Sequence, residues 1–353
     1  MKSILAFGNP LLDLTISSQN YVRKLVEKYN LQKDGQKEIS QDEMRLLSKD
    51  IQGYETHLSA GGCCQNSLRV LQWILHGKCQ ASIFGSVGND TEAKLLQNFL
   101  QSDGLQTRYV EQPALPTGKT IALVDGIYRS LVAHIGAAEV FPLQTLVQYK
   151  NFNSIFDSSD IIFLEAYFLT NRFETAKYVV DLAKKKCKIV AFNLGGEYIF
   201  EVIPEEIKYM VKHSDILFGN CYEFDALKVL LNYSSRESMA ADLLQQEKLN
   251  TQYSKTLIIT NGDQPVTCFY ETEKIEFLPP LMKESDIKDT VGAGDAFIGG
   301  YLAGLCTSKT LQQCTRIAFY AASNILKQHG CTIPKYKSTI LTSNDFSFAS
   351  ELQ

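Results

Sequence analysis

Short apolar runs alternate with stretches of helical period along most of this chain: Ile4 to Phe7, Ala81 to Phe84, Ile161 to Leu164, Ile189 to Asn193, Ile216 to Phe218 and Leu257 to Thr260. Most are apolar at every position, so as strands they must be covered on both faces. Helices between successive strands provide that cover and favour parallel pairing. Intervening helical faces are visible at Leu68, Leu71 and Leu75, and again at Leu311, Cys314, Ile317, Ala318, Ala321 and Ile325. The pattern predicts an α/β core with a mainly parallel sheet.

Two segments interrupt the rhythm. Residues from about 14 to 60 are polar, carry the capping-box pattern Ser40-Gln41-Asp42-Glu43 and end at Gly61-Gly62. Between Thr117 and Ala138, the alternating runs Thr120 to Val124 and Ser130 to Ile135 flank Asp125-Gly126, a hairpin signal. Together they predict a small β-rich lid on the core. Lys184, Lys185, Lys186 and Lys188 close a predicted helix, where cations offset the dipole.

The composition narrows the partners. A net charge of −4 over 353 residues gives no basic face for nucleic acid. The N-terminus has too short an apolar core for a signal peptide. The apolar stretch Val291 to Ser308 holds Asp295 and five glycines, which suits a buried segment better than a membrane span. Nine scattered cysteines without metal-ligand spacing point to reduced thiols and a cytoplasmic location, with the nucleus open as well. His57, His76, His134, His213 and His329 show no metal spacing.

Asp289-Thr290-Val291-Gly292-Ala293-Gly294-Asp295 carries the strongest chemical signal. Small residues at a predicted helix start leave backbone N–H groups free to bind an anion, and a carboxylate beside them can take a proton from an attacking hydroxyl. A capped, glycine-rich helix start fits the same letters. No G-x-x-x-x-G-K-[ST] loop and no protein-kinase H-R-D or D-F-G occurs. Asp13, after the first predicted strand, suits paired ribose hydroxyls or an Asx turn. Gly61-Gly62 reads as a turn opening a helix, with Asn66 in its first turns. Asn220-Cys221-Tyr222-Glu223 follows another strand, and its two oxygen-bearing side chains fit either water ligands of Mg²⁺ or a helix cap. Thr260-Asn261-Gly262 either meets a phosphate or turns the chain. Cys63 and Cys64 sit at a helix start, which can lower a thiol pKa.

Taken together and in this order, Gly61-Gly62 with Asn66, Asn220-x-x-Glu223 and Gly292-Ala293-Gly294-Asp295 resemble the ribokinase-like (PfkB) kinases over nearly the whole chain. Gly8-Asn9-Pro10-Leu11-Leu12-Asp13, Gln65-Asn66-Ser67, Pro116-Thr117-Gly118, Arg129-Ser130-Leu131, Ala137-Ala138, Leu217-Phe218-Gly219-Asn220 and Gly330-Cys331-Thr332 are most similar to its adenosine-phosphorylating members. The resemblance implies a three-layer α/β/α core (1–13, 61–111 and 139–353) with a small β-rich lid (14–60 and 112–138). It also implies a monomer that uses ATP and Mg²⁺ to phosphorylate the 5′-hydroxyl of adenosine, giving AMP in purine salvage.

By the same resemblance Asp295 is the general base, and Gly292, Ala293 and Gly294 form the anion hole, with Arg129 meeting the transferred phosphate. Asp13, Gly62 and Asn66 would bind the ribose, while Leu131, Ala133, Phe168 and Gln36 would lie about the purine. Asn193, Asn220, Thr260, Gly262, Thr290, Gly292 and Gly294 would line the ATP site, and Glu223 with Asn220 would hold Mg²⁺ through water. Val291, Cys63-Cys64 and Gly195-Gly196-Glu197 depart from the pattern without removing a catalytic group. Leu164-Glu165-Ala166-Tyr167 is closer to the sugar-kinase branch, so a kinase of another nucleoside or of a sugar is the neighbouring reading, and a nucleoside-binding protein without turnover a more distant one.

Overall fold

The computed structural model describes residues 1–17, 19–32, 35–125, 128–246 and 253–341. Its strands in chain order are β1 (Ile4–Phe7), β2 (Leu11–Ile16), β3 (Gln36–Glu38), β4 (His57–Gly61), β5 (Ala81–Val87), β6 (Gln106–Glu111) and β7 (Gly118–Asp125). They continue with β8 (Tyr128–His134), β9 (Ile161–Glu165), β10 (Ile189–Asn193), β11 (Ile216–Asn220), β12 (Thr256–Thr260), β13 (Val266–Tyr270) and β14 (Glu273–Phe277). A nine-stranded sheet runs β14-β13-β12-β11-β10-β9-β1-β5-β6, and a five-stranded sheet runs β3-β8-β7-β2-β4.

All six apolar runs are adjacent parallel strands of the large sheet. Alternation along them divides the core in two. Ile4, Ala6, Ile161, Phe163, Ala191 and Phe218 pack beneath the helices Cys63–Ile74, Ala293–Cys306 and Leu311–Ile325. Leu5, Phe7, Ile162, Leu164, Val190 and Phe192 pack against Phe173–Lys185, Pro204–His213 and Cys221–Leu230 on the other side. The three-layer α/β/α arrangement therefore follows from strands that are apolar on both faces.

Three strands of this sheet lay outside the expectation. β6 (QTRYVE) and β14 (EKIEF) are polar edge strands, and β13 joins antiparallel between β12 and β14. Edge strands carry charge that discourages further pairing, which erases the apolar signal.

The Ala293–Cys306 helix is buried continuously from Ala296 to Cys306. A helix apolar all round belongs in an interior. Added Cβ atoms at Gly299, Gly300 and Gly304 would meet Ser67, Ala318 and Cys314, so the glycines let neighbouring helices approach. Among the described residues no helix is long and apolar enough to cross a membrane.

The small sheet holds the predicted hairpin: β7 pairs antiparallel with β8 in the register Thr120↔Ala133 and Ala122↔Leu131. Gly126 lies outside the described residues. Ile16, Ile121, Leu123 and Val132 form one apolar face beneath the helices Gln19–Lys28 and Gln41–Asp50. The Ser40–Glu43 capping box is present at the second of these. Period-two alternation sends Asp13, Thr120, Ala133, Leu131 and Arg129 to the opposite face. Asp13 thus sits within β2, opposite Ser59 and Thr120, rather than at the end of the first strand as expected. Gly8 to Pro10 carry the chain from one sheet to the other.

Candidate active site

Gly292 is the N-cap of the Ala293–Cys306 helix and adopts φ 74°, ψ 4°. A Cβ there would lie 2.5 Å from Cys331 Cβ, so both backbone and space require glycine. Asp289 fixes the loop from below: Oδ1 accepts from Val291 N at 2.9 Å, and Oδ2 from Gly330 N at 2.9 Å. Ala293 N donates to the Thr290 carbonyl at 3.3 Å. Among the described residues no hydrogen bond occupies the N–H groups of Gly292, Gly294 or Asp295. These are orphan donors of a helix N-terminus and form a ready anion site.

Asp295 stands in the first turn of that helix. Asn66 Nδ2 donates to its Oδ2 at 3.0 Å, and the Cys63 thiol also bonds to it. Burial raises its pKa to about 6 against these two bonds, which favour the ionised form. Asn66 and Cys63 lie at the start of the Cys63–Ile74 helix, whose N-cap is Gly62 at φ 88°. The thiols do not behave as the helix start alone predicts. Burial first, then the Asp295 and Glu165 carboxylates, push both Cys63 and Cys64 well above the ordinary thiol range.

Asp13 reaches the same place from the small sheet. Its carboxylate lies directly over Gly61, where a Cβ would stand 2.0 Å from Oδ1. Burial, and next the charge of Asp295, raise it to about 7, while a Thr120 hydrogen bond, Arg69 and Arg129 oppose the shift. Arg129 comes from β8 and places Nη1 3.9 Å from Asp289 Oδ1, spanning from the small sheet to the anion loop. Leu131 and Ala133 share its face, and Gln36 pairs with Leu131. Gln36 and Leu131 line a cleft of about 250 Å³ with Gln32 and Lys37.

On the other side of Asp295 is a cleft of about 150 Å³ lined by Tyr167, Asn193, Asn220, Glu223, Thr260 and Gly294. Asn193, Asn220 and Thr260 are the last residues of β10, β11 and β12. Open α/β sheets place ligands at these carboxyl ends.

Asn220 and Glu223 form a full capping box. Glu223 Oε2 accepts from Asn220 N at 2.9 Å, Oε1 from Asn220 Nδ2 at 2.8 Å, and Asn220 Oδ1 accepts from Glu223 N at 2.9 Å. Capping therefore accounts for their spacing without a ligand. Burial nevertheless raises Glu223 to about 7, the residue lines the cleft, and a carboxylate has more lone pairs than these two bonds use.

One expected residue falls elsewhere. Phe168 is fully buried, 6.0 Å from both Phe7 and Phe141 in the core beneath the sheet, and its neighbour Tyr167 reaches the cleft instead. Gly262 and Thr290 are exposed, Gly262 two residues beyond Thr260 and Thr290 in the anion loop. Two further carboxylates escaped the sequence reading. Asp289 was read only as part of the loop. Glu165, the last residue of β9, accepts from Asn9 N at 2.8 Å and Cys64 N at 2.7 Å, and burial raises it to about 7. Its signal was a lone acid ending an apolar strand.

The pfkB family carbohydrate kinase model matches residues 38–338. Adenosine kinase of Dictyostelium discoideum is 30% identical over 332 residues, covering 94% of this chain and 96% of its own. Adenosine kinase 1 of Arabidopsis thaliana is 29% identical over 336 residues, covering 94% and 96%. Among solved structures, Anopheles gambiae adenosine kinase in complex with P1,P4-di(adenosine-5) tetraphosphate matches with a TM-score of 0.86 at 30% identity, over 95% of this chain and 100% of that one.

Proposed function

This chain belongs to the pfkB family of carbohydrate kinases, and from that membership we propose that it transfers the γ-phosphoryl group of ATP to the 5′-hydroxyl of adenosine. The observation that carries the reading is Asp295. It is a carboxylate in the first turn of a helix, beside unoccupied amides, held by Asn66 and faced by Asp13 from the second sheet. An anion held at those amides and a hydroxyl held near Asp13 would meet at this carboxylate.

In the proposed reaction Asp13 accepts hydrogen bonds from the ribose hydroxyls, and the Asn66 amide supports the same sugar. Asp295 takes the 5′-hydroxyl proton as the oxygen bonds to the γ-phosphorus and the bond to the β-phosphate oxygen breaks. The Gly292 and Gly294 amides and the helix N-terminus stabilise the charge on the transferred group. Arg129 is close enough to exchange Asp289 for the phosphate. Tyr167, Leu131 and Ala133 provide apolar surface for a base, while Asn193 and Thr260 meet the nucleotide from the strand ends.

For Mg²⁺, the donor set of one buried carboxylate with free lone pairs and an amide suits an ion that keeps its water shell. Glu223 and Asn220 would hold it through those waters, and the ion would neutralise triphosphate charge. All these residues come from one chain, which fits a monomer, and nine free cysteines fit a cytoplasmic enzyme.

A panel of adenosine, inosine, guanosine, cytidine and ribose, each with ATP and with or without Mg²⁺, tests the proposal. Adenosine is expected to give ADP and AMP with the highest kcat/KM, and only with the metal. Equal or better turnover of ribose or another nucleoside would replace adenosine as the substrate.

A further inference from the structure

Behind Asp295 lies a buried cation that the mechanism above does not use. Arg69 is two turns into the Cys63–Ile74 helix and only 6% exposed. Its Nε donates to Asp103 Oδ2 at 2.6 Å, which compensates the buried charge. Its Nη1 turns inward and donates to three acceptors: the Ala60 carbonyl at 3.0 Å, the Cys331 carbonyl at 3.2 Å and Asn66 Oδ1 at 3.4 Å.

Each acceptor belongs to a different wall of the site. Ala60 precedes Gly61, on which the Asp13 carboxylate rests. Cys331 packs its side chain on Gly292, the cap of the anion loop. Asn66 donates to Asp295.

We propose that Arg69 is a positioning residue for phosphoryl transfer, orienting the Asn66 amide and fixing the sugar-side turn and the anion loop relative to Asp295. Polarity fixes which way the Asn66 amide faces. A guanidinium can only donate, so the amide end facing it must be oxygen, and the NH₂ end is thereby directed at Asp295. Without Arg69 the amide can turn and present oxygen to a carboxylate, which repels it. An ion pair with Asp103 alone would serve a purely structural role, but the inward Nη1 ties Ala60 and Asn66, on either side of the Gly61-Gly62 turn, to Cys331, which is distant in sequence. The inference rests on the kinase reading only for its effect on turnover.

The test compares wild type with R69M, R69K and D103N, measuring kcat and KM for adenosine and ATP from pH 5 to 9. Asp295 is also within electrostatic reach of Asp13, Glu165, Glu223, Cys63 and Cys331, all left in place by these changes. R69M is expected to lower kcat/KM by about 10–100-fold, the scale of a small misplacement of reacting groups, and to move the acid limb of the profile to higher pH. R69K keeps a donor to the inner acceptors and should recover most of the rate. D103N leaves the inward bonds and should cost less than R69M.

If R69M does not fold, R69A with added guanidinium ion replaces it, and rescue of both rate and acid limb is the expected result. An R69M or R69A protein with the wild-type acid limb and kcat/KM, altered only in melting temperature, overturns the proposal. Should wild type not turn over adenosine, the kinase reading fails separately. Arg69 is then judged by the ¹³C titration of the Asp295 carboxyl, whose midpoint must rise in the variant; an unchanged midpoint overturns the proposal on its own.

Discussion

Replacing Gly292 by alanine should damage both the fold and the reaction, and the structure sets the size of each effect. The residue sits at φ 74°, ψ 4°, where a side chain costs roughly 1–2 kcal/mol. Its new Cβ would lie 2.5 Å from Cys331 Cβ and 3.1 Å from Cys331 Cα. Ordinary carbon contacts are about 3.5–4.0 Å, so the loop and the 330–332 segment must separate by about 1 Å. Overpacking of this kind adds about 1–3 kcal/mol. The expected loss of stability is therefore about 2–5 kcal/mol.

The same movement displaces the amides from Asp295, and a misplacement of that size lowers kcat/KM by roughly 10²-fold. Thermal melting and steady-state kinetics read the two effects. G294A is the control: its Cβ would meet nothing within 4 Å, and alanine is the better helix former, so it should melt no lower than wild type. C331G removes the colliding Cβ, so G292A/C331G should lose less than the sum of the single losses. A G292A protein that melts with wild type and keeps its kcat/KM refutes the reasoning, as does strict additivity with C331G.

Other expectations follow from the same geometry. D295N should lower kcat by about 10²–10⁴ while circular dichroism shows an unchanged fold; near-normal turnover at saturating nucleoside removes Asp295 from the chemistry. Because a base must be ionised, kcat/KM should fall as pH drops through about 6, and an acid limb near 4 would contradict the burial of this carboxyl. Ligand-free stability should show the opposite trend. Burial raises the carboxyls of Asp13, Glu165 and Glu223 to about 7 and that of Asp295 to about 6, above the ordinary carboxylate range, so the folded state binds the extra protons. Their contribution is complete below about pH 4 and is lost as pH rises through 6 to 7. The melting temperature should therefore decline from pH 5.5 to 8, and less steeply in D13N; a melting temperature that rises over this range would contradict the raised values. G61A would drive a Cβ into the Asp13 carboxylate, so the nucleoside KM should rise more than kcat falls. An unchanged KM would separate Asp13 from the sugar.

Features legible in the sequence were those whose causes are local. Strands apolar at every position announce a sheet covered on both faces, and all six such runs became its parallel centre. The Ser40–Glu43 and Asn220–Glu223 caps, the Gly62 turn and the Gly292 helix start were also visible, because each bonds residues within one turn of backbone. The strong apolar character of 291–308 was legible, as was its unsuitability for a membrane.

Tertiary structure decided what depends on distant pairings. Asp13 belongs to the second sheet because β2 pairs with β4 and β7. No periodicity in the first thirteen residues encodes those partners. Phe168 left the proposed purine wall for the core, and Tyr167 took the cleft, because the short helix Ala166–Phe168 turns adjacent aromatics to opposite sides. Nothing local to Glu165, Asp289 or Arg69 in the sequence assigns them a role. Each acquires its role from groups far away in the chain: Asn9 and Cys64 for Glu165, Gly330 and Arg129 for Asp289, and Cys331 for Arg69. The sequence by itself determined a phosphate-type turn next to a carboxylate. Folding decided which hydroxyl-binding, anion-binding and orienting groups surround that carboxylate, because charge, burial and hydrogen bonding act through space rather than along the chain.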